Sequence, residues 1–149
     1  MIQRKQTLFL AVSVILFLTT FAFPFGTIGA NELHNYKVIS PEGNAIDGIS
    51  TYYFSIPLAI ASIISAISIF TYRNRQRQMA LVRFTFIFYA ASFALMSLYI
   101  IDAVKVISTA PFTLGVSFFL PFASFFSNLI ALRGIKKDEQ LVKSLDRIR

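Results

Sequence analysis

"YYFSIPLAIASIISAISIFTY", Tyr52–Tyr72, decides the fold. These 21 residues carry no charge. A helix of ~20 residues crosses a hydrocarbon core of ~30 Å, so the run is long enough to span a bilayer. Tyrosines at both ends suit the two membrane–water interfaces, where an amphipathic ring sits well. The run stops at "RNRQRQ", residues 73–78, a tight basic turn.

Three more apolar runs lie on either side. "TLFLAVSVILFLTTFAFPFG", Thr7–Gly26, follows a short basic start and reads as a first span. It has the outline of a secretory signal, but its length and the spans that follow favour a retained anchor. A third span is expected over residues 79–101 and a fourth over 111–132, with Pro111 suited to a first helical turn. The composition agrees: 56% of the 149 residues are hydrophobic and 14% charged, with mean hydropathy +0.66, against about a quarter charged in soluble domains. The expected fold is an all-α membrane protein, a four-transmembrane-helix bundle over residues 1–132. A polar outer loop covers residues 30–51, and a short cytoplasmic amphipathic tail covers 133–149.

Charge sets the expected orientation. With the N-terminus in the cytoplasm, 12 of the 14 basic residues fall inside, and only Lys37 and Lys105 fall outside. Cytoplasmic loops collect Lys and Arg, so both termini are expected in the cytoplasm. The net charge of +7 then needs no nucleic acid to explain it; a ribosome or RNA contact is the weaker reading. In the outer loop, "PEGN" reads as a turn between Tyr36–Ser40 and Ala45–Ile49, a small hairpin.

The chemistry is defined mainly by what is missing. There is no Cys, so no disulfide or thiolate chemistry. One His, His34, cannot alone build a histidine metal site; it reads as a surface residue within reach of Glu32 or Asp47. No ionisable residue lies at the middle of a span, where proton relays and ion pathways place them. Asp102 and Lys105 read as an interfacial ion pair. No phosphate loop, carboxylate pair or Ser/His/Asp set emerges. No catalytic, metal or cofactor-binding residue is assigned, and the protein is not expected to be an enzyme.

The polar residues within the spans are small. Ala90/Ala94 and Ala123/Ser127/Ala131 form small-xxx-small steps that let helices approach closely, and Asn128 is expected to find an interhelical hydrogen bond. Phe118, Phe122 and Phe125 share a face that either fills the bundle or lines a lipid or quinone groove. Pro24 and Pro121 are expected to kink their spans by releasing the carbonyls of Thr20 and Ser117.

The tail has its own pattern. Leu141, Leu145 and Ile148 recur at i, i+4, i+7 beside Val142, with mixed charges opposite, and Gly134 offers a bend below the membrane. A helix this short gains order by packing on lipid, on the bundle or on a partner. The expected docking set is Lys136, Lys137, Leu141, Val142, Leu145 and Ile148 with Arg73, Arg75 and Arg77. The expected function is a non-enzymatic accessory subunit or adaptor of a membrane complex. The alternative is small-molecule, lipid or quinone binding or transport within the bundle.

"MIQRKQTLFL" at the start and "RGIKKDEQLVKSLDRIR" at the end resemble a small four-span membrane family of Bacteroidota, domain of unknown function 4293. The resemblance implies four spans in a bacterial inner membrane. It implies no activity and no functional residues.

Overall fold

The computed structural model describes residues 3–34, 38–39, 52–106 and 111–146. Four helices dominate: α1 (Gln3–Thr19), α2 (Tyr52–Phe70), α3 (Arg75–Val106) and α4 (Val116–Asp146). Short strands β1 (Gly26–Ile28), β2 (Asn31–Leu33), β3 (Val38–Ile39) and β4 (Phe112–Leu114) gather at one end, the sheet end. The α2–α3 turn marks the other, the turn end.

Three helices are long and apolar enough to cross a membrane, over Tyr53–Phe70, Arg75–Asp102 and Val116–Ser144. Exposed Ile63, Phe70, Ile87, Phe119 and Phe126 on their outward faces suit contact with a bilayer. The first expected span is helical over only part of its length. Its apolar helix covers only Gln6–Thr19, roughly 21 Å at 1.5 Å per residue. The hydroxyls of Thr19 and Thr20 turn back onto the carbonyls of Ile15 (2.8 Å) and Phe17 (2.6 Å). The backbone then tightens through i→i−3 bonds from Thr20, Phe21 and Ala22. Pro24 therefore lies beyond the helix and kinks nothing.

The chain leaves this turn as a strand, not as more helix. Gly29, at φ 61°, makes the left-handed first position of a two-residue turn between β1 and β2, the conformation glycine adopts without steric cost. The sheet is antiparallel throughout, in the order β3-β2-β1-β4. β1 pairs with β4, Gly26 opposite Leu114 and Ile28 opposite Phe112. The segment after α1 is thus bound to the segment before α4. Val38–Ile39 is a strand, as expected of Tyr36–Ser40, but it pairs with β2; Ala45–Ile49 lies outside the described residues.

The sheet is built into the bundle end. Phe25, Ile28 and Leu33 form one buried cluster with Phe54, Met96 and Tyr99. The Phe25, Phe54 and Tyr99 rings meet at centroid distances of 5.3–5.5 Å, within the range where aromatic pairs attract beyond their area. Gly115 sits where a Cβ would collide with the Pro24 carbonyl and the Phe25 backbone. Only glycine lets α4 begin this close to the chain leaving α1.

Serines hold the helices together by donating to backbone carbonyls across the interface. From α4, Ser117, Ser124 and Ser127 donate to Thr20, Ser13 and Phe9 at 2.9, 3.2 and 2.6 Å. The positions rise along α4 as they fall through α1 and the turn after it, the mark of an antiparallel pair. From α3, Ser92 and Gln78 donate to Phe54 and Ser68 of α2 at 2.8 and 3.1 Å. At mid-bundle Asn128 joins three helices: its amide donates to Tyr89 Oη (3.0 Å) and accepts from Ser65 Oγ (3.1 Å).

The small-residue expectation needs correcting in part. Ser127, Asn128 and Ala131 are buried, but Ala90, Ala94 and Ala123 face outward. The buried stripe of α3 is Val82, Thr85, Tyr89, Ser92, Met96 and Tyr99, spaced three and four apart, which puts Ala90 and Ala94 on the opposite side. Close approach comes from hydroxyls reaching carbonyls, not from alanine steps. The phenylalanines fill the α3–α4 interface: Phe122 stacks on Phe93 at 4.4 Å and 6°, and Phe125 meets Phe86, Tyr89 and Phe93 edge-on.

Two further readings change. His34 is buried, not superficial, with Nε2 3.1 Å from Glu32. Asp102 and Lys105 do pair, at 3.8 Å, with both side chains largely exposed, an arrangement that contributes little.

Candidate docking site

The turn end is shaped by Asn74. Its side chain accepts the Arg77 amide at 3.1 Å and its carbonyl the Gln78 amide at 2.9 Å, an N-cap that fixes where α3 starts. The cap fans the three turn arginines apart. Arg73 and Arg77 are exposed, whereas half-buried Arg75 donates to the Asp138 carbonyl at 3.0 Å. Arg75 is therefore a strut between the turn and the tail.

No bend separates the tail from the last span. α4 runs unbroken through Gly134 to Asp146, about 46 Å for 31 residues. Gly134 is instead a close approach, where a Cβ would lie 2.9 Å from Gln6 Cγ. Ile135, fully buried, packs with Leu10, Val82 and Ala131. Asp138 is nearly buried and accepts a 2.5 Å hydrogen bond from Gln6 Nε2. The first part of the tail thus packs beneath the bundle.

The second part outruns it. Ala131, Ile135 and Asp138 fall at i, i+4, i+7, and Val142 continues the same row. Val142 remains 41% exposed among the described residues, with Leu141 beside it at 47%. Of the expected tail stripe, Val142 extends the core row and Leu141 flanks it. Leu145 is helical, but its side chain, like all of Ile148, lies outside the described residues. Lys136 and Lys137 are exposed. Glu139 is held by Lys143 at 3.3 Å.

Val142 and Glu139 form one wall of an open groove of ≈ 380 Å³, and Arg73, Asn74, Arg75 and Gln76 form the other. The groove is apolar at one point and polar or charged at its margins. The arginine that closes the groove could not be told from its neighbours in "RNRQRQ", because the direction each points depends on the Asn74 cap.

The family model described as "Domain of unknown function (DUF4293)" matches residues 2–148 of the chain. No curated protein matches it.

Proposed function

The chain belongs to the DUF4293 family, and we propose that it is a non-enzymatic membrane adaptor or accessory subunit. In this reading it sits in a bacterial inner membrane with both termini in the cytoplasm. α1 and the apolar segment after it complete a fourth crossing. Several polar groups of the non-helical backbone there are satisfied, as a hydrocarbon setting requires: the Phe25 amide bonds to Leu33 and the Gly115 amide to Phe25 at 2.8 and 2.9 Å, and the Thr20 carbonyl accepts from Ser117.

One observation carries the docking role. The core row of α4 continues past the bundle to Val142, exposed beside Leu141, at a groove rimmed by Arg73. A partner helix laying an apolar residue against Val142 would complete the row. Acidic residues on that partner would meet Arg73, Arg77, Lys136 and Lys137, setting orientation and on-rate.

The test is a paired substitution, Leu141→Asp with Val142→Asp, compared with the native chain. Both proteins are tagged in the outer loop and purified from gently solubilised membranes. A stoichiometric partner present with the native chain and lost with the variant supports the adaptor. An unchanged complex in both, or a solitary protein in both, removes the docking role. Point substitution is preferable to cutting the chain at Arg133, since truncation would also delete Ile135 and Asp138 from the bundle.

A further inference from the structure

Arg83 stands apart from the other basic residues. It lies eight residues into α3, ~12 Å from the start of the helix, and inside the apolar stretch Arg75–Asp102. Its side chain is exposed on the outward face. It makes no hydrogen bond or ion pair with any described residue. Its neighbours on that face are Ala80, Ile87, Ala90 and Ala94, all exposed. A charged group in such a setting is costly unless it meets a partner, so an unpartnered one marks a site.

The depth of Arg83 identifies the partner. The Phe93–Phe122 stack and the Arg75–Asp138 contact fix the antiparallel alignment of α3 and α4. Interpolating between them sets Arg83 level with residues 130–132, next to Arg133, where the apolar part of α4 ends. Arg83 is thus only about 6 Å past Met79, the first apolar residue after the basic turn. From there a long side chain can snorkel to the headgroups while its stem stays in hydrocarbon. A guanidinium at headgroup level presents the fork geometry that phosphate accepts through two hydrogen bonds. Beyond Arg83, towards mid-membrane, Ala90 and Ala94 leave a low strip beside the exposed Ile87, which walls one side of a path for an acyl chain.

We propose that Arg83 and the low face of α3 above it bind one anionic phospholipid, the phosphate on the guanidinium and an acyl chain along Ala90 and Ala94. This site lies on a different face from the docking groove and does not depend on it. An acidic helix from a protein partner is the competing occupant. The lipid is favoured because Arg83 lies at the membrane edge, where phosphates are abundant and a buried carboxylate is not needed to neutralise it.

The experiment titrates the purified, delipidated full chain in detergent with dioleoyl phosphatidylglycerol or dioleoyl phosphatidylcholine and counts retained lipids by native mass spectrometry. The native chain should retain one phosphatidylglycerol in preference to phosphatidylcholine. Arg83→Gln should weaken that retention by about tenfold or more, and Arg83→Lys by less. Ala90→Leu, with the arginine intact, should also weaken it by obstructing the chain. Circular dichroism verifies that each variant is folded. Equal retention of the two lipids by the native chain would overturn the proposal. So would unchanged retention by Arg83→Gln, displacement of the lipid by millimolar inorganic phosphate, or a dimer that disappears with Arg83→Gln.

Discussion

Replacing Asn128 with alanine tests whether the buried polar centre holds the bundle together. The Asn128 amide contacts Tyr89 of α3 and Ser65 of α2 at 3.0 and 3.1 Å and returns one bond to its own helix at Ser124. The two interhelical bonds are worth about 0.6 kcal/mol each, the average for side-chain hydrogen bonds in membrane bundles, so about 1.2 kcal/mol together. Asn128 is fully buried, so alanine also leaves a void, with a cost that depends on how far the neighbours collapse. A total loss of about 2–3 kcal/mol is expected. The assay is reversible unfolding in mixed micelles with increasing dodecyl sulfate, followed by far-ultraviolet circular dichroism. A double-mutant cycle with Tyr89→Phe separates bond from void: phenylalanine keeps the ring against Phe125 and removes only the hydroxyl. The coupling should be about 0.6 kcal/mol and no more than about 1.7. A coupling indistinguishable from zero, with the full loss retained in the single variant, would refute the bond and leave shape alone as the explanation.

Other perturbations have equally definite outcomes. Gly115→Ala should cost about 1–3 kcal/mol, the range for overpacking, since its Cβ meets backbone at Pro24 and Phe25; thermal melting in detergent reads it, and an unchanged midpoint would show that the close approach is relaxed. Ser127→Val removes the donor to the Phe9 carbonyl and should destabilise the α1–α4 pair by under about 2 kcal/mol; hydrogen exchange along α1 should rise while α2 stays protected. Leu141→Asp with Val142→Asp should leave the melting midpoint within about 0.5 kcal/mol of native, as for exposed positions; a larger loss would mean that those residues are covered within the chain.

The legible part of the fold was carried by long apolar runs. α2 and α3 could be read because each apolar run is long enough to cross a hydrocarbon core without a break; the fourth run was read from Pro111, but Phe112–Leu114 is a strand and α4 starts at Val116. α1 misled for the same reason: Phe21 to Phe25 is as apolar as a helix, and hydropathy does not distinguish extended chain from helical chain. The sheet was largely illegible. Its strands are two or three residues long, and β4 pairs with a strand 86 positions away, so no local period announces it. The serines could be recognised as packing residues, but their acceptors are main-chain carbonyls of other helices, which no side-chain pattern records. In the candidate docking site, Val142 and Leu141 were visible as apolar positions in a charged tail. That Arg75 would be tied to Asp138 was not, because the tie depends on how Asn74 aims the turn.

The pairing of β1 with β4 also imposes an order on assembly. α2 and α3 form a hairpin across a four-residue turn and can associate once both have been made. α1 rests chiefly on α4, and the strand after it waits for Phe112–Leu114. Chains emerge from the ribosome N-terminus first at about 5–20 residues per second. α1, made before α4, therefore waits several seconds after it leaves the tunnel for its main partner. During that interval its buried face, from Gln6 to Thr20, is open to any insertase or chaperone that reads an unfinished helix. Substitutions that weaken the α1–α4 seam should for that reason lower the yield of inserted protein more than they lower the stability of the protein once made.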